Sequence, residues 1–310
     1  MRIARLDLGD TARVGIVEGD RVRLLDPALD VRDLLEDRPA AAETHETVPL
    51  ASVRLLAPIE PPSIRDFLTF ERHVEGMVRL HDPPRGIHPR WYEAPTFYFS
   101  NPHSVIGPYD DVPIPPGCRL FDYELEVAAV IGRDGRDVAP EQAHEYIAAY
   151  TIMNDWSARD LQFEEMAVGL GPAKGKDSAI TLGPWLVTAD ELERHRRDGR
   201  LDLRMEVAVN GTLIGSDTLA SMAWSFESLV AYASRGAWIR VGDVLGSGTC
   251  GGGCLAELWG RAGRREPPPL AVGDVVTMTV EGIGSIANRV VAGGEPVPVP
   301  RAERLDAKVD

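Results

Sequence analysis

Two glutamates spaced two residues apart open a run that otherwise reads as buried strand, Phe121-Asp122-Tyr123-Glu124-Leu125-Glu126-Val127-Ala128-Ala129-Val130-Ile131-Gly132. Alternate side chains of a strand share a face, so Glu124 and Glu126 project together, roughly 7 Å apart along the strand. Burying such a pair in its ionised form is costly unless a cation or a proton intervenes. Asp155 ends a second strand-like run, Ile147 to Asn154, and adds a third carboxylate. Oxygen donors with no His or Cys among them suit a hard cation: Mg²⁺ first, with Mn²⁺ or Ca²⁺ able to substitute. Spacing alone leaves another reading open, in which the glutamates line a solvent face and Asp155 caps the turn that starts at Ser157.

Composition narrows the partners. A formal net charge of -15 is unsuited to tracking phosphates, so nucleic acid is not expected. No apolar run approaches the ~20 residues needed to cross a bilayer. The start, Met1-Arg2-Ile3-Ala4-Arg5, leads into strand-like alternation and not a signal-peptide core, so a cytoplasmic protein with no membrane partner is expected. Cys118, Cys250 and Cys254 are an odd set in a chain of 310 residues and read as free thiols, not as a disulfide framework or a zinc site.

Along the chain, residues 2 to 25 read as a small antiparallel meander, Val31 to Asp37 as a short helix and Arg38 to Pro49 as a loop. Pro58 to Pro62 reads as a linker, which divides the chain into 1–60, 61–300 and a charged tail, 301–310. Ser63 to Thr69 is strand-like, and Phe70 to Leu80 suits a helix carrying Glu71, His73 and Glu75. The proline-rich stretch from His81 to Trp91 suits a mobile lid. Later segments are mostly strands, with an Asn210-Gly211 hairpin turn, a helix over 225–234, and a short strand over Leu255 to Trp259. Gly246-Ser247-Gly248-Thr249-Cys250-Gly251 satisfies G-x-G-x-x-G, but a strand after it would leave no helix N-terminus for a pyrophosphate, so a dinucleotide site is not expected.

The chain resembles the fumarylacetoacetate hydrolase family from about residue 50 to 291. Five ordered segments carry the likeness: Asp122 to Glu126, Asn154 to Gln162, Gly175-Lys176-Asp177, Gly246 to Thr249, and Glu281 to Asn288. The resemblance implies a mainly β fold with some α, a mixed β-sandwich roll of the fumarylacetoacetase C-terminal type behind a small N-terminal β meander, and a homodimer. It implies a divalent metal on Glu124, Glu126 and Asp155. Asp66 joins them because it precedes His73 by the seven residues that separate the corresponding pair in the fumarylacetoacetase branch.

The same resemblance implies that the substrate is a small 2-oxo or diketo acid, with His73 as the base that activates water and Glu257 as the carboxylate that orients it. Smaller acylpyruvase-like relatives place that glutamate three residues after the histidine, where this chain has Gly76, with Glu75 one place early. Lys176 is selected to stabilise an oxyanion or enolate. Arg159 and Gln162 share a helical face and could hold a substrate carboxylate or a metal-bound oxygen, or be a surface arginine and a capping glutamine. Tyr98 and Thr249 are implied substrate contacts, while Leu68 stands where the fumarylacetoacetase branch has a tyrosine, a departure that speaks against fumarylacetoacetate itself. The expected function is metal-dependent hydrolysis of a carbon-carbon bond in an acylpyruvate or β-diketo acid. The alternatives are a decarboxylase or keto-enol isomerase of a 2-oxo acid, and a non-catalytic binding protein stabilised by its metal.

Overall fold

The run around Glu126 does form a strand, and the molecule is built outward from it. The computed structural model describes residues 1–9, 11–36, 43–81, 83 and 85–302. Leu125–Ile131 is buried along its whole length. Leu125, Val127, Ala129 and Ile131 enter one core with Met205, Val207, Val276, Met278 and Ile286. Ala128 and Val130 enter another with Ile3, Val14, Val31 and Leu34. Period-two alternation thus feeds a layer on each side of one strand.

That strand belongs to a twelve-stranded sheet whose main path runs Glu43–Pro49, Arg21–Leu25, Ala12–Glu18, Arg2–Asp7, Ile180–Thr188, Ile147–Asp155, Leu125–Ile131, Val244–Gly246, Ile64–Phe67, Phe97–Ser100. A five-stranded sheet, containing Arg204–Val209, Val275–Val280 and Gly284–Val291, supplies the residues of the second layer. The expected mainly β architecture with some α is therefore what the chain adopts. The N-terminal meander is not a separate sheet: Arg2 pairs with Val187 and Ile3 with Leu186. Of the expected tail, residues 303–310 lie outside the described residues, as do residues 37–42. Glu43–Pro49, expected as loop, is a strand paired with Arg21–Leu25, because Thr44, Thr47 and Val48 are β-branched and suit a polar sheet edge.

Among the described residues the α-helices are α1 (Val31–Glu36), α2 (Glu71–Val78), α3 (Arg159–Met166), α4 (Ala189–Leu192), α5 (Phe226–Ala233) and α6 (Leu255–Ala262). None is long and apolar enough to cross a membrane. Leu255 to Trp259, expected as a strand, opens α6. Leu255, Ala256 and Trp259 are buried at helical spacing, Cys254 Sγ accepts from the Glu257 amide, and Gly263 closes the helix in the left-handed region at φ 66°. The glycine loop is thus followed by a helix N-terminus after all. It is occupied from within, since Asp122 accepts from the amides of Leu255 at 2.8 Å and Ala256 at 3.0 Å. That internal cap, and not a missing helix, is what argues against a dinucleotide site. In the expected lid, Pro89–Tyr92 is a short 3-10 turn whose buried Trp91 donates to the Leu68 carbonyl at 2.7 Å.

Helices α2 and α6 cross at two glycines. A Cβ on Gly260 would lie 2.0 Å from the Gly76 carbonyl oxygen, a backbone atom that cannot swing aside. Gly260→Ala is expected to cost about 1–3 kcal/mol through overpacking, read as a fall in Tm, whereas Gly86→Ala, which meets nothing within 4 Å, should leave Tm unchanged. The three cysteines are free, as expected. Burial, then Asp160, pushes the Cys118 thiol up to about 12, and burial holds Cys250 and Cys254 well above the ordinary range. A raised thiol carries little thiolate at pH 8, so a disulfide-exchange reagent should label the native protein slowly and all three thiols rapidly once it is unfolded.

Candidate active site

Five buried carboxylates, Asp66, Asp122, Glu124, Glu126 and Asp155, meet two buried cations, Arg159 and Lys176. The sheet brings the acids together. Val244–Gly246 lies between Leu125–Ile131 and Ile64–Phe67, with Gly246 opposite Ala128 on one side and Asp66 on the other. A Cβ on Gly246 would stand 2.6 Å from Asp66 Oδ1 and 3.0 Å from Glu126 Oε2, so the missing side chain is what lets the two acids approach.

Arg159, at the start of α3, spends its guanidinium inward. Its Nε donates to Asp122 Oδ2 at 2.8 Å, Nη2 to Glu124 Oε1 at 2.7 Å and Nη1 to Gln162 Oε1 at 3.1 Å. Lys176 Nζ reaches Glu124 Oε2 at 2.6 Å and Asp155 Oδ2 at 2.7 Å. The Tyr98 hydroxyl contacts Asp66 Oδ2 at 2.7 Å and also Asp155 Oδ2.

Two cations cannot balance five carboxylates. Burial, and next the Asp155 charge, push Asp66 up to about 8. Glu126 is driven well above the carboxylate range by burial and by Asp66. Burial also raises Asp155, against the pull of Lys176. Glu124 goes the other way: burial would raise it, but Lys176 and Arg159 outweigh that and hold it below the usual range. One oxygen each from Asp66, Glu124 and Glu126 lies within 4.8 Å of the others. Asp66 Oδ1, Glu126 Oε1 and Asp155 Oδ1 are buried without a hydrogen-bond partner. Unpartnered oxygens, surplus negative charge and a set of oxygen donors alone in Asp66, Glu124 and Glu126 fit a hard divalent cation, whereas a second cluster, His73, Glu124 and Cys254, shares Glu124 but brings nitrogen and sulfur.

Beside this cage sits His73, buried on α2. Its Nδ1 lies 3.3 Å from Glu257 Oε2 on α6. Glu257 is fully buried and further fixed by the Gly252 amide, at 2.8 and 2.7 Å to its two oxygens, and by Arg261 Nη2 at 2.8 Å. Glu75 is exposed. A Cβ on Gly76 would lie 2.3 Å from Glu257 Cγ, so the space where a glutamate at position 76 would begin is filled by Glu257 arriving from the next helix.

A cavity of about 340 Å³ opens onto the cage, lined on its polar side by Asp66, His73, Thr96, Tyr98, Glu124, Arg159, Gln162, Lys176 and Thr249. Asp155 and Glu257 stand outside that lining but contact it, and Glu126 brings an oxygen within 4.8 Å of its Asp66 and Glu124. The structure therefore gathers every candidate residue around one space. Arg159 and Gln162 are bonded to each other and neither is a surface residue. Two residues escaped the sequence: Asp122, whose partners Arg159 and α6 are remote in the chain, and Arg261, whose placement four residues beyond Glu257 has meaning only in a helix.

The chain matches the family model "Fumarylacetoacetate (FAA) hydrolase C-terminal" over residues 63–291 and "Rv2993c-like, N-terminal" over residues 1–58. It is 32% identical over 254 residues to the mitochondrial oxaloacetate tautomerase FAHD2A of Homo sapiens, covering 82% of this chain and 74% of that protein. Among solved structures it is similar to the 5-carboxymethyl-2-hydroxymuconate delta-isomerase from Mycobacterium smegmatis, with 29% identity, TM-score 0.73, and coverage of 94% of this chain and 100% of that one. It is likewise similar to the fumarylacetoacetate hydrolase from psychrophilic Exiguobacterium antarcticum, with 28% identity, TM-score 0.74 and the same coverage, 94% and 100%.

Arg159→Met roughly keeps the volume but strands Asp122 without its cation and leaves Glu124 with Lys176 alone. Breaking a buried pair in this way is expected to cost about 3–5 kcal/mol, measured as a lower urea midpoint with an unchanged m-value.

Proposed function

The chain belongs to the fumarylacetoacetate hydrolase family, a family of enzymes with tautomerases, isomerases and hydrolases among its members, and from that premise we propose that it hydrolyses a carbon-carbon bond in an acylpyruvate or β-diketo acid. The observation that carries this reading is the buried contact between His73 and Glu257 at the wall of a cavity floored by carboxylates. A non-catalytic protein held together by its metal has no use for such a pair. Asp66, Glu124, Glu126 and Asp155 would hold the metal, Mg²⁺ by preference with Mn²⁺ or Ca²⁺ able to replace it. When bound it supplies Lewis-acid polarisation of the substrate carbonyl. On the same reading the N-terminal domain ends near residue 60 and the catalytic domain spans 61–300, and the protein works as a cytoplasmic homodimer.

The protein's own residues account for the proton movements. Glu257 accepts the Nδ1 proton of His73, which fixes the tautomer and leaves Nε2 as the basic nitrogen. Nε2 takes a proton from water as its oxygen bonds to the distal carbonyl carbon. The carbon-carbon bond then breaks, its electron pair passes to the pyruvyl fragment as an enolate, and His73 returns the proton to that carbon. A carboxylic acid and a 2-oxo acid result. Lys176 stabilises the negative charge that develops on the substrate oxygens, and Arg159 and Gln162 hold the wall against which it lies.

A second reading is favoured by the likeness to an oxaloacetate tautomerase: proton transfer between keto and enol forms, or decarboxylation, with no attacking water. The two readings part at His73. His73→Ala is expected to lower kcat for hydrolysis by about 10²–10⁴ while sparing decarboxylation, followed by loss of the enolised diketone absorbance with and without chelator. If the wild type with Mg²⁺ released no acid from any acylpyruvate yet interconverted the forms of oxaloacetate, hydrolysis would be excluded.

A further inference from the structure

We infer that the cavity takes a substrate with one charged end and an apolar tail: a 2-oxo or acylpyruvic acid that finishes in an alkyl or aryl group and not in a second carboxylate. This deepens the proposed function and rests on it for the placement of the charged end.

The two helices that wall the cavity are graded in the same direction. On α3, Arg159, Gln162 and Met166 follow at helical spacing along one face, and their exposure rises from 0% through 8% to 44%. On α2, His73 is buried and Met77, one turn later, is half-buried. Each wall therefore runs from a polar residue at depth to a methionine nearer the mouth, and all five side chains line the same cavity. Phe67, Leu68, Phe97 and Pro172 complete the apolar part.

Charge points the same way. The lining contains two permanent cations, Arg159 and Lys176, and both already serve carboxylates of the cage. No other Lys or Arg among the described residues lines the cavity. A second substrate carboxylate would lose part of its water against thioether and ring surfaces, with the Thr96 hydroxyl but no cation to replace it. An alkyl tail would gain from the same surfaces, and the unbranched methionines can adjust to its shape.

The test is a series of acylpyruvates with the tail lengthened from acetyl to hexanoyl, beside a succinyl member that ends in a carboxylate. With Mg²⁺ present, kcat/KM should rise about fourfold per methylene, and the succinyl compound should be at least tenfold poorer than butanoylpyruvate. Met166→Arg, at the open end of α3, should reverse that preference. Binding is read separately, as the Tm shift from 2-oxooctanoate against that from 2-oxoglutarate, so the inference is decided even if no acylpyruvate is cleaved. A larger shift with 2-oxooctanoate supports it even where hydrolysis fails. A larger shift with 2-oxoglutarate, or a faster succinyl compound, overturns it and leaves the hydrolase reading intact.

Discussion

The guanidinium of Arg159 is the contact through which the two working parts of the site share one geometry. It holds Asp122, whose carboxylate caps the helix that carries Glu257, and it holds Glu124, which belongs to the cage. Burying these charges costs several kcal/mol per ion before any attraction is counted, so the cluster is poor evidence for stability. What it supplies is position. The planar fork of an arginine fixes two acids at a set distance and angle, which a lysine could not do.

Within that frame the division of labour follows from local surroundings. Glu124 sits against both cations, which hold it below the usual carboxylate range, whereas Glu126, two residues on, is pushed well above that range by burial and by the facing Asp66. Both come from one short segment, and only their neighbours differ. The same logic explains why related enzymes can carry out different reactions on small acids. On the proposed reading, Lys176 and a cation held on the acidic floor would favour a reaction that builds negative charge on a bound oxo acid, while the fate of that charge depends on what stands beside it. Here that is an imidazole oriented by a carboxylate from a different helix.

Much of the site was legible because it depends on short-range spacing. Glu126 lies in the strand Leu125–Ile131 as the alternation implies, whereas Glu124 stands just before that strand and still brings an oxygen within 4.8 Å of one on Glu126, and the register of Asp66 and His73 survives because one strand and one helix follow each other directly. Glu257 can be matched to its place through the family likeness, yet the segment that carries it is a helix where its sequence pattern suggests a strand. A glycine run masked its start, and Leu255, Glu257 and Trp259 mimic alternation. Its apolar stripe shows itself only once Gly263 is recognised as a left-handed stop. The inward turn of Arg159 was open for a different reason: nothing in a helical face says whether it meets solvent or a buried aspartate from another strand.

The placement of Val244–Gly246 between two strands laid down much earlier has a consequence for the chain's synthesis. Asp66 and the Gly246 that lies opposite it are 180 residues apart, so at about 5–20 residues per second a ribosome needs roughly 10–40 s to deliver the second after the first. Throughout that interval Leu125–Ile131 and Ile64–Phe67 each lack the neighbour that will separate them. Ile64–Phe67 carries Asp66 and Leu125–Ile131 carries Glu126, with Glu124 just before it, and in water these acids are hydrated and charged. Inward-facing charges of this kind discourage an open edge from pairing with another chain. The acids that serve the finished site would thus also protect the unfinished sheet, guarding the nascent protein against aggregation until its last third arrives.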